Sequence, residues 1–160
     1  MGNFYMLGYG IEKDPRKALS MYKKAGKWDQ ASAQYKTGLI YLSQMVDDDP
    51  SRGITYLKEA VKNKFYQAAY VLGAVYLEGE LVEQDYEEAS EWLELASEHN
   101  IYKASYLLGK MYDSQLFGEE QKDKAIPLYN KAAYKIAAAR DRLKELNQPM
   151  PQVANKILNA

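Results

Sequence analysis

The chain repeats itself, and a repeat constrains a fold more tightly than any other property of a sequence, because stacked copies of one small unit must bury one another. Three nine-residue segments align without gaps: Ala33–Tyr41 (AQYKTGLIY), Ala68–Tyr76 (AAYVLGAVY) and Ala104–Tyr112 (ASYLLGKMY), offset by 35 and 36 residues. A second element recurs at the same period. Each copy is a pair of small residues seven apart: Ala18 and Ala25, Gly53 and Ala60, Ala89 and Ala96, Ala125 and Ala132.

Both elements read as helices. In the first, the alanine, tyrosines and glycine fall on one side of a helix. In the second, residues seven apart stack two turns apart on one face. Asp14-Pro15 and Asp49-Pro50 have the form of an Asp N-cap followed by Pro at the first helical position. Asp85, followed by Glu87 and Glu88, places acid at the positive end of a helix dipole. Gly38, Gly73 and Gly109 then lie inside helices, each costing about 1 kcal/mol relative to Ala. A cost repeated at one register implies a repeated gain: a neighbouring backbone approaches closely, facing the small residues of the second helix. The expected fold is all-α, a solenoid of antiparallel helix pairs wound as a right-handed superhelix. Helix A is predicted at 31–43, 66–78 and 102–113, helix B at 15–25, 50–62, 86–98 and 122–133, and a capping helix at 136–146.

The pattern A-x-Y-x-L-G-x-x-Y, followed by D-x-x-x-A-x-x-x-Y-x-x-A, resembles the Sel-1-like repeat, a cousin of the tetratricopeptide repeat. Between the last Tyr of helix A and the first small residue of helix B the step is 13 residues for Tyr5–Ala18, Tyr76–Ala89 and Tyr112–Ala125, and 12 for Tyr41–Gly53. That connection is longer than in tetratricopeptide repeats, and the return is shorter. Tyr5–Asp14 (YMLGYGIEKD) is similar to the family's Y-x-x-G-x-G-V-x-x-D loop. Some positions depart from the pattern. Asp29, Lys64 and Asn100 stand where the family commonly has Gly after helix B, and Asn63 is expected to supply the left-handed turn beside Lys64. In the fourth unit Gln115 replaces the loop glycine and Gln121 replaces the capping Asp.

These marks divide the chain into a repeat domain over 1–147, with units at 4–30, 31–65, 66–101 and 102–135 and a cap at 136–147, and a tail over 148–160. The first unit lacks a full helix A, so Leu19 and Tyr22 are expected to be uncovered and self-associating. The asymmetry suggests a piece of a longer protein. At the repeat-glycine register the last helix carries Arg142 to Glu145, as a polar cap requires.

Composition narrows function. Lys and Arg number 21 against 22 Asp and Glu, which counts against a nucleic-acid module. There is no cysteine and one histidine, His99, so neither a thiolate nor a His-based metal centre is expected. No apolar run approaches the roughly 20 residues that span a bilayer, and no signal peptide opens the chain. No nucleophile elbow, phosphate loop or metalloprotease motif is present. The expectation is a non-enzyme without cofactor or metal, in the cytoplasm unless a targeting sequence lies outside this chain. The resemblance implies an adaptor that binds a protein or peptide partner, as in signalling, degradation, cell-wall synthesis and bacterial–host contact. The alternative weighed is an RNA-binding helical repeat, whose affinity would collapse with salt. Nine acids and no Lys or Arg lie between Phe65 and Tyr102 (Glu78, Glu80, Glu83, Asp85, Glu87, Glu88, Glu91, Glu94, Glu98). They read as a solvated face or a patch for a basic partner.

By similarity to tetratricopeptide repeats, helix A lines the concave side. Three rows then form the candidate partner site: Tyr35, Tyr70 and Tyr106; Leu39, Ala74 and Lys110; Leu42, Leu77 and Asp113. The apolar members would anchor a peptide and the charged end would orient it.

Overall fold

The computed structural model describes residues 14–25, 30–44 and 49–149. The loop segment Tyr5–Lys13, Asp29 and residues 150–160 lie outside them. The described residues form eight α-helices and one short 3-10 helix, and contain no strand. The helices are α1 (Pro15–Ala25), α2 (Gln30–Leu42), α3 (Pro50–Lys62), α4 (Gln67–Glu78), α5 (Tyr86–Glu98), α6 (Tyr102–Asp113), α7 (Ala125–Ala132) and α8 (Ala137–Glu145), with the 3-10 helix η1 at Glu119–Lys124. The chain divides into two compact units, Met1–Gln84 and Asp85–Ala160. In the first, α1 packs on α2, α2 on α3 and α3 on α4; in the second, α5 packs on α6, α6 on α7 and α7 on α8.

Capping explains where the second-type helices begin. Asp14 Oδ1 accepts from Lys17 N at 3.0 Å. Asp49 accepts from Ser51 N at 3.0 Å, with Pro50 next in the chain. Asp85 accepts from Glu87 N and Glu88 N, both at 3.0 Å. Where Gln121 replaces the Asp, its amide instead donates to the Phe117 carbonyl at 3.3 Å. No side chain caps α7, and the chain passes through η1 before the α-helix starts at Ala125, three residues later than the sequence predicts.

The turn after α3 corrects one expectation. Lys64 itself adopts the left-handed conformation (φ +66°), while Asn63 stays at φ −88°. The hydrogen bonds require it: Lys64 N donates to Val61 O at 2.8 Å and Phe65 N to Ala60 O at 2.9 Å. This is the Schellman arrangement, whose left-handed residue must follow the C-cap. The same pair of bonds recurs after α5, with Asn100 at φ +62°.

In the first unit the repeat glycines do mark a close helix approach. A Cβ on Gly53 would fall 2.9 Å from the Gly38 carbonyl oxygen and 2.7 Å from Leu42 Cγ; one on Gly38 would fall 3.0 Å from the Gly53 oxygen and 2.8 Å from Leu57 Cγ. Two helix backbones meet there, and only glycine fits on either side. At the N-terminal side the expectation of an uncovered face is overturned for Leu19. It is 9% exposed, in a cluster with Ala18, Ile40 and Tyr41, and half-buried Tyr22 packs against that cluster. At the other end Ala139 and Leu143 of α8 are fully buried with Ala125, Tyr129, Ala132 and Ala133.

Candidate functional site

The second unit holds a groove of about 340 Å³ lined by Tyr106, Lys110, Asp113, Ser114, Tyr129 and Arg142. Tyr106, Lys110 and Asp113 come from α6, Tyr129 from α7 and Arg142 from α8. Spacings of four and three residues put the α6 trio on one face of the helix. The Tyr106 and Tyr129 rings lie 5.9 Å apart between centroids, tilted by 47°. Lys110 Nζ stands 6.0 Å from the Tyr106 ring centroid.

Asp113 is the electrostatic centre of the groove. Its Oδ2 accepts from Arg142 Nε at 2.6 Å and from the Tyr129 hydroxyl at 3.1 Å. The bond from Arg142 holds the carboxyl below its ordinary pKa, against the desolvation that raises it. Burial pushes the Tyr129 phenol up, and the neighbouring Asp113 charge pushes it further. Arg142 is held protonated by Asp113 first and then by Glu145, which accepts from its Nη1 at 2.8 Å. At neutral pH Asp113 and Arg142 are charged while Tyr129 keeps its proton, and their bonds tie α6, α7 and α8 together.

The predicted site residues divide. Tyr106, Lys110 and Asp113 share this groove. Leu39, Leu42 and Ala74 are buried, at 6%, 1% and 3% exposure. Leu42 is pressed against Gly53, and these three members of the expected apolar strip lie in the core. Tyr35 and Tyr70 are also buried, Tyr35 with its ring 4.8 Å from that of Phe65. Leu77 is half-buried, and its carbonyl accepts from the Gln84 amide at 2.7 Å. Sequence reasoning missed Ser114, Tyr129 and Arg142 as groove residues. A signal for Tyr129 was present: it stands where Leu57 and Leu93 stand, in the same unit that replaces Leu42 and Leu77 by Asp113.

The acidic run is partly accounted for by local structure. Asp85 caps α5, and Glu88 accepts from the Trp92 indole at 2.9 Å. Burial, and next the charge of Glu80, raise the Glu78 carboxyl. No helix among the described residues is long and apolar enough to cross a membrane.

A model of the Sel1 repeat matches residues 1–27, 31–65, 67–101 and 103–135. The chain belongs to the Sel1-repeat family. Sel1-repeat proteins serve generally as protein-interaction adaptors and are typically non-catalytic scaffolds. A solved Sel1 repeat protein from Oxalobacter formigenes is 28% identical, with a TM-score of 0.72 over 90% of this chain and 60% of that one. A protective antigen of uropathogenic Escherichia coli strains, c5321, which displays the same repeat fold, is 26% identical, with a TM-score of 0.66 over 76% of this chain and 26% of that one. In sequence, a 74-residue stretch is 32% identical to chitin synthase regulatory factor 3 of Schizosaccharomyces pombe. The match covers 43% of this chain and 8% of that protein, so the present Sel1 repeats correspond to a small part of the yeast relative.

Proposed function

We propose that this chain is a non-catalytic adaptor whose helix-A side binds a segment of a protein partner, and that the α6–α8 groove is its contact point. The supporting observation is the convergence of half-buried Tyr106, exposed Lys110 and Asp113 in one groove, with buried Tyr129 beneath them. Tyrosines give rigid contact area with a polar tip, as interface residues do. Of the other helix-A rows, Tyr35, Leu39, Leu42, Tyr70 and Ala74 are buried and Leu77 is half-buried, which leaves them less open to a partner. The acidic run does not enter this reading, because Asp85 and Glu88 already have structural partners. An RNA-binding role is disfavoured by the near-balance of charge and by the single Lys110 in the groove.

The test combines capture with footprinting. The full chain is immobilised, and bound proteins are identified by cross-linking and mass spectrometry. A parallel chain carries Ser114→Trp, which fills the groove. The expected result is a partner that shields Tyr106 and Lys110 from hydroxyl radicals and is lost with Ser114→Trp. A partner retained equally by both chains places the contact elsewhere.

A further inference from the structure

Resting on that groove reading, we infer that the occupant is an acidic segment of another protein, with Asp or Glu next to an aliphatic or aromatic side chain. The charges inside the groove are unequal in their commitments. Asp113 is engaged twice through Oδ2, by Arg142 and by Tyr129, and its side chain is only 10% exposed. Arg142 is divided between Asp113 and Glu145. Lys110 differs from both. It is exposed, forms no ion pair among the described residues, and has the Tyr106 ring 6.0 Å from its Nζ. The cation that the groove leaves open to an anionic ligand is therefore Lys110.

The walls supply the second half of the recognition. Half-buried Tyr106 presents ring surface next to that cation, with the buried Tyr129 ring behind it, so a carboxylate seated on Lys110 places the neighbouring side chain of an extended segment against Tyr106. A volume of about 340 Å³ is at the small end of ligand sites, enough for a few side chains of an extended chain. A basic segment would meet Lys110 as a like charge and find Asp113 already occupied. A nucleic acid would need several free cations to draw its affinity from counterion release, and this groove has one.

The test uses the full chain and fluorescein-labelled ten-residue peptides of alternating Glu and Leu, Gln and Leu, or Lys and Leu, read by anisotropy at low and raised salt. The acidic peptide is expected to bind at least tenfold tighter than the neutral one. Salt should erode that advantage, and Lys110→Glu should abolish it while keeping the wild-type melting curve. Lys110→Gln should give an intermediate result. Equal binding of the acidic and neutral peptides, both lost with Ser114→Trp, overturns the acidic assignment and leaves the groove reading standing. Peptides bound equally by wild type and Ser114→Trp overturn both. Failure of the acidic peptide to bind at millimolar concentration overturns the inference. So does tighter binding of a uridine oligomer, or self-association that Lys110→Glu abolishes, which would put a nucleic acid or a second copy of the chain in the groove.

Discussion

In the hairpin α2/α3, Gly38 faces Leu57 and Gly53 faces Leu42. In the hairpin α6/α7 the same registers hold Gly109 opposite Tyr129, and Asp113 stands where Leu42 stands. The two exchanges belong together. Tyr129 occupies the register of Leu57 but ends in a hydroxyl, and that hydroxyl reaches the position of Leu42, where an acceptor is now needed. Asp113 accepts it, and Arg142 of α8 balances the charge. The repeat sets helix spacing and the register of close approach. The chemistry that closes the hairpin can change provided both sides change at once. One hairpin closes on methyl groups and the other on a hydrogen-bonded ion cluster that opens into a groove.

The largest expected effect tests the apolar side. Leu42→Glu puts an unpaired carboxylate at a site with 1% exposure, against a glycine backbone. We expect a loss above about 4 kcal/mol and collapse of the first unit's helical signal in a thermal melt. Had Leu42 lined an exposed strip, the same substitution would remove binding and spare the melting temperature. A melt within a few degrees of wild type would show that the hairpin is open there.

The next effect compares the two glycine contacts. Gly53→Ala must displace the Gly38 carbonyl, which belongs to a packed backbone. Overpacking of about 1–3 kcal/mol then outweighs the roughly 1 kcal/mol gained in helix propensity. Gly109→Ala meets Tyr129 Cε1 at 3.0 Å and Cδ1 at 3.1 Å, a ring that needs to give only a few tenths of an ångström. Its stability in urea should stay within about 0.5 kcal/mol of wild type, because the propensity gain offsets the crowding. Equal losses for the two alanines would mean that the hairpins are packed alike.

These contrasts separate what the sequence could and could not show. Helix positions were legible because the small residues, the Asp caps and the repeat period all pointed to the same boundaries. Asp14, Asp49 and Asp85 cap as their positions suggest. Site residues were less legible. A row read down the repeats cannot distinguish a solvent-facing residue from one facing its own hairpin, since both recur at the same spacing. Leu42 and Asp113 share a row, yet one is core and the other lines a groove. Along that row the residue goes with its partner across the hairpin, Leu42 with Leu57 and Asp113 with Tyr129. Lys64 was misread for a local reason: the turn's hydrogen bonds fix which residue turns left, whatever its type prefers.

A double-mutant cycle sharpens the ionic side. Asp113→Leu leaves the Tyr129 hydroxyl buried without an acceptor and Arg142 without its strongest bond, at a cost of about 1–3 kcal/mol. Tyr129→Leu removes the hydroxyl and part of the packing. Making both changes restores the residue pair of the α2/α3 hairpin, and we expect a coupling energy of about 1–2 kcal/mol in urea titrations. Additive losses would show that the two exchanges are independent. The cluster also has a pH signature. Because the folded pKa of Asp113 is lowered, its contribution is present above the unfolded value near 4 and is lost as pH falls below it. The gap between wild type and Asp113→Asn should therefore be constant from about pH 7 to 5 and shrink toward pH 3.

The smallest effect concerns how the two kinds of helix start. Asp85 satisfies two amide groups of the first turn of α5, and replacing it with Gln should cost about 1 kcal/mol. Gln121 occupies the equivalent place before α7, where the chain forms η1 instead of α-helix. Its side chain bonds backward to Phe117 O and accepts from Lys124 Nζ at 3.1 Å, so the first-turn amides gain no acceptor from it. Gln121→Asp shortens the side chain to the length that lets it accept from the amides two and three residues ahead, as Asp85 does. The η1 segment should then join α7, raising the far-UV helical signal slightly. The gain is below 1 kcal/mol, because the bonds of Gln121 are lost, and the melting temperature rises by at most about 2–4 °C. If Gln121→Asp leaves the spectrum unchanged while Asp85→Gln lowers stability, the 3-10 start is imposed by the packing of η1 against α6 and α7 and the missing cap is only incidental.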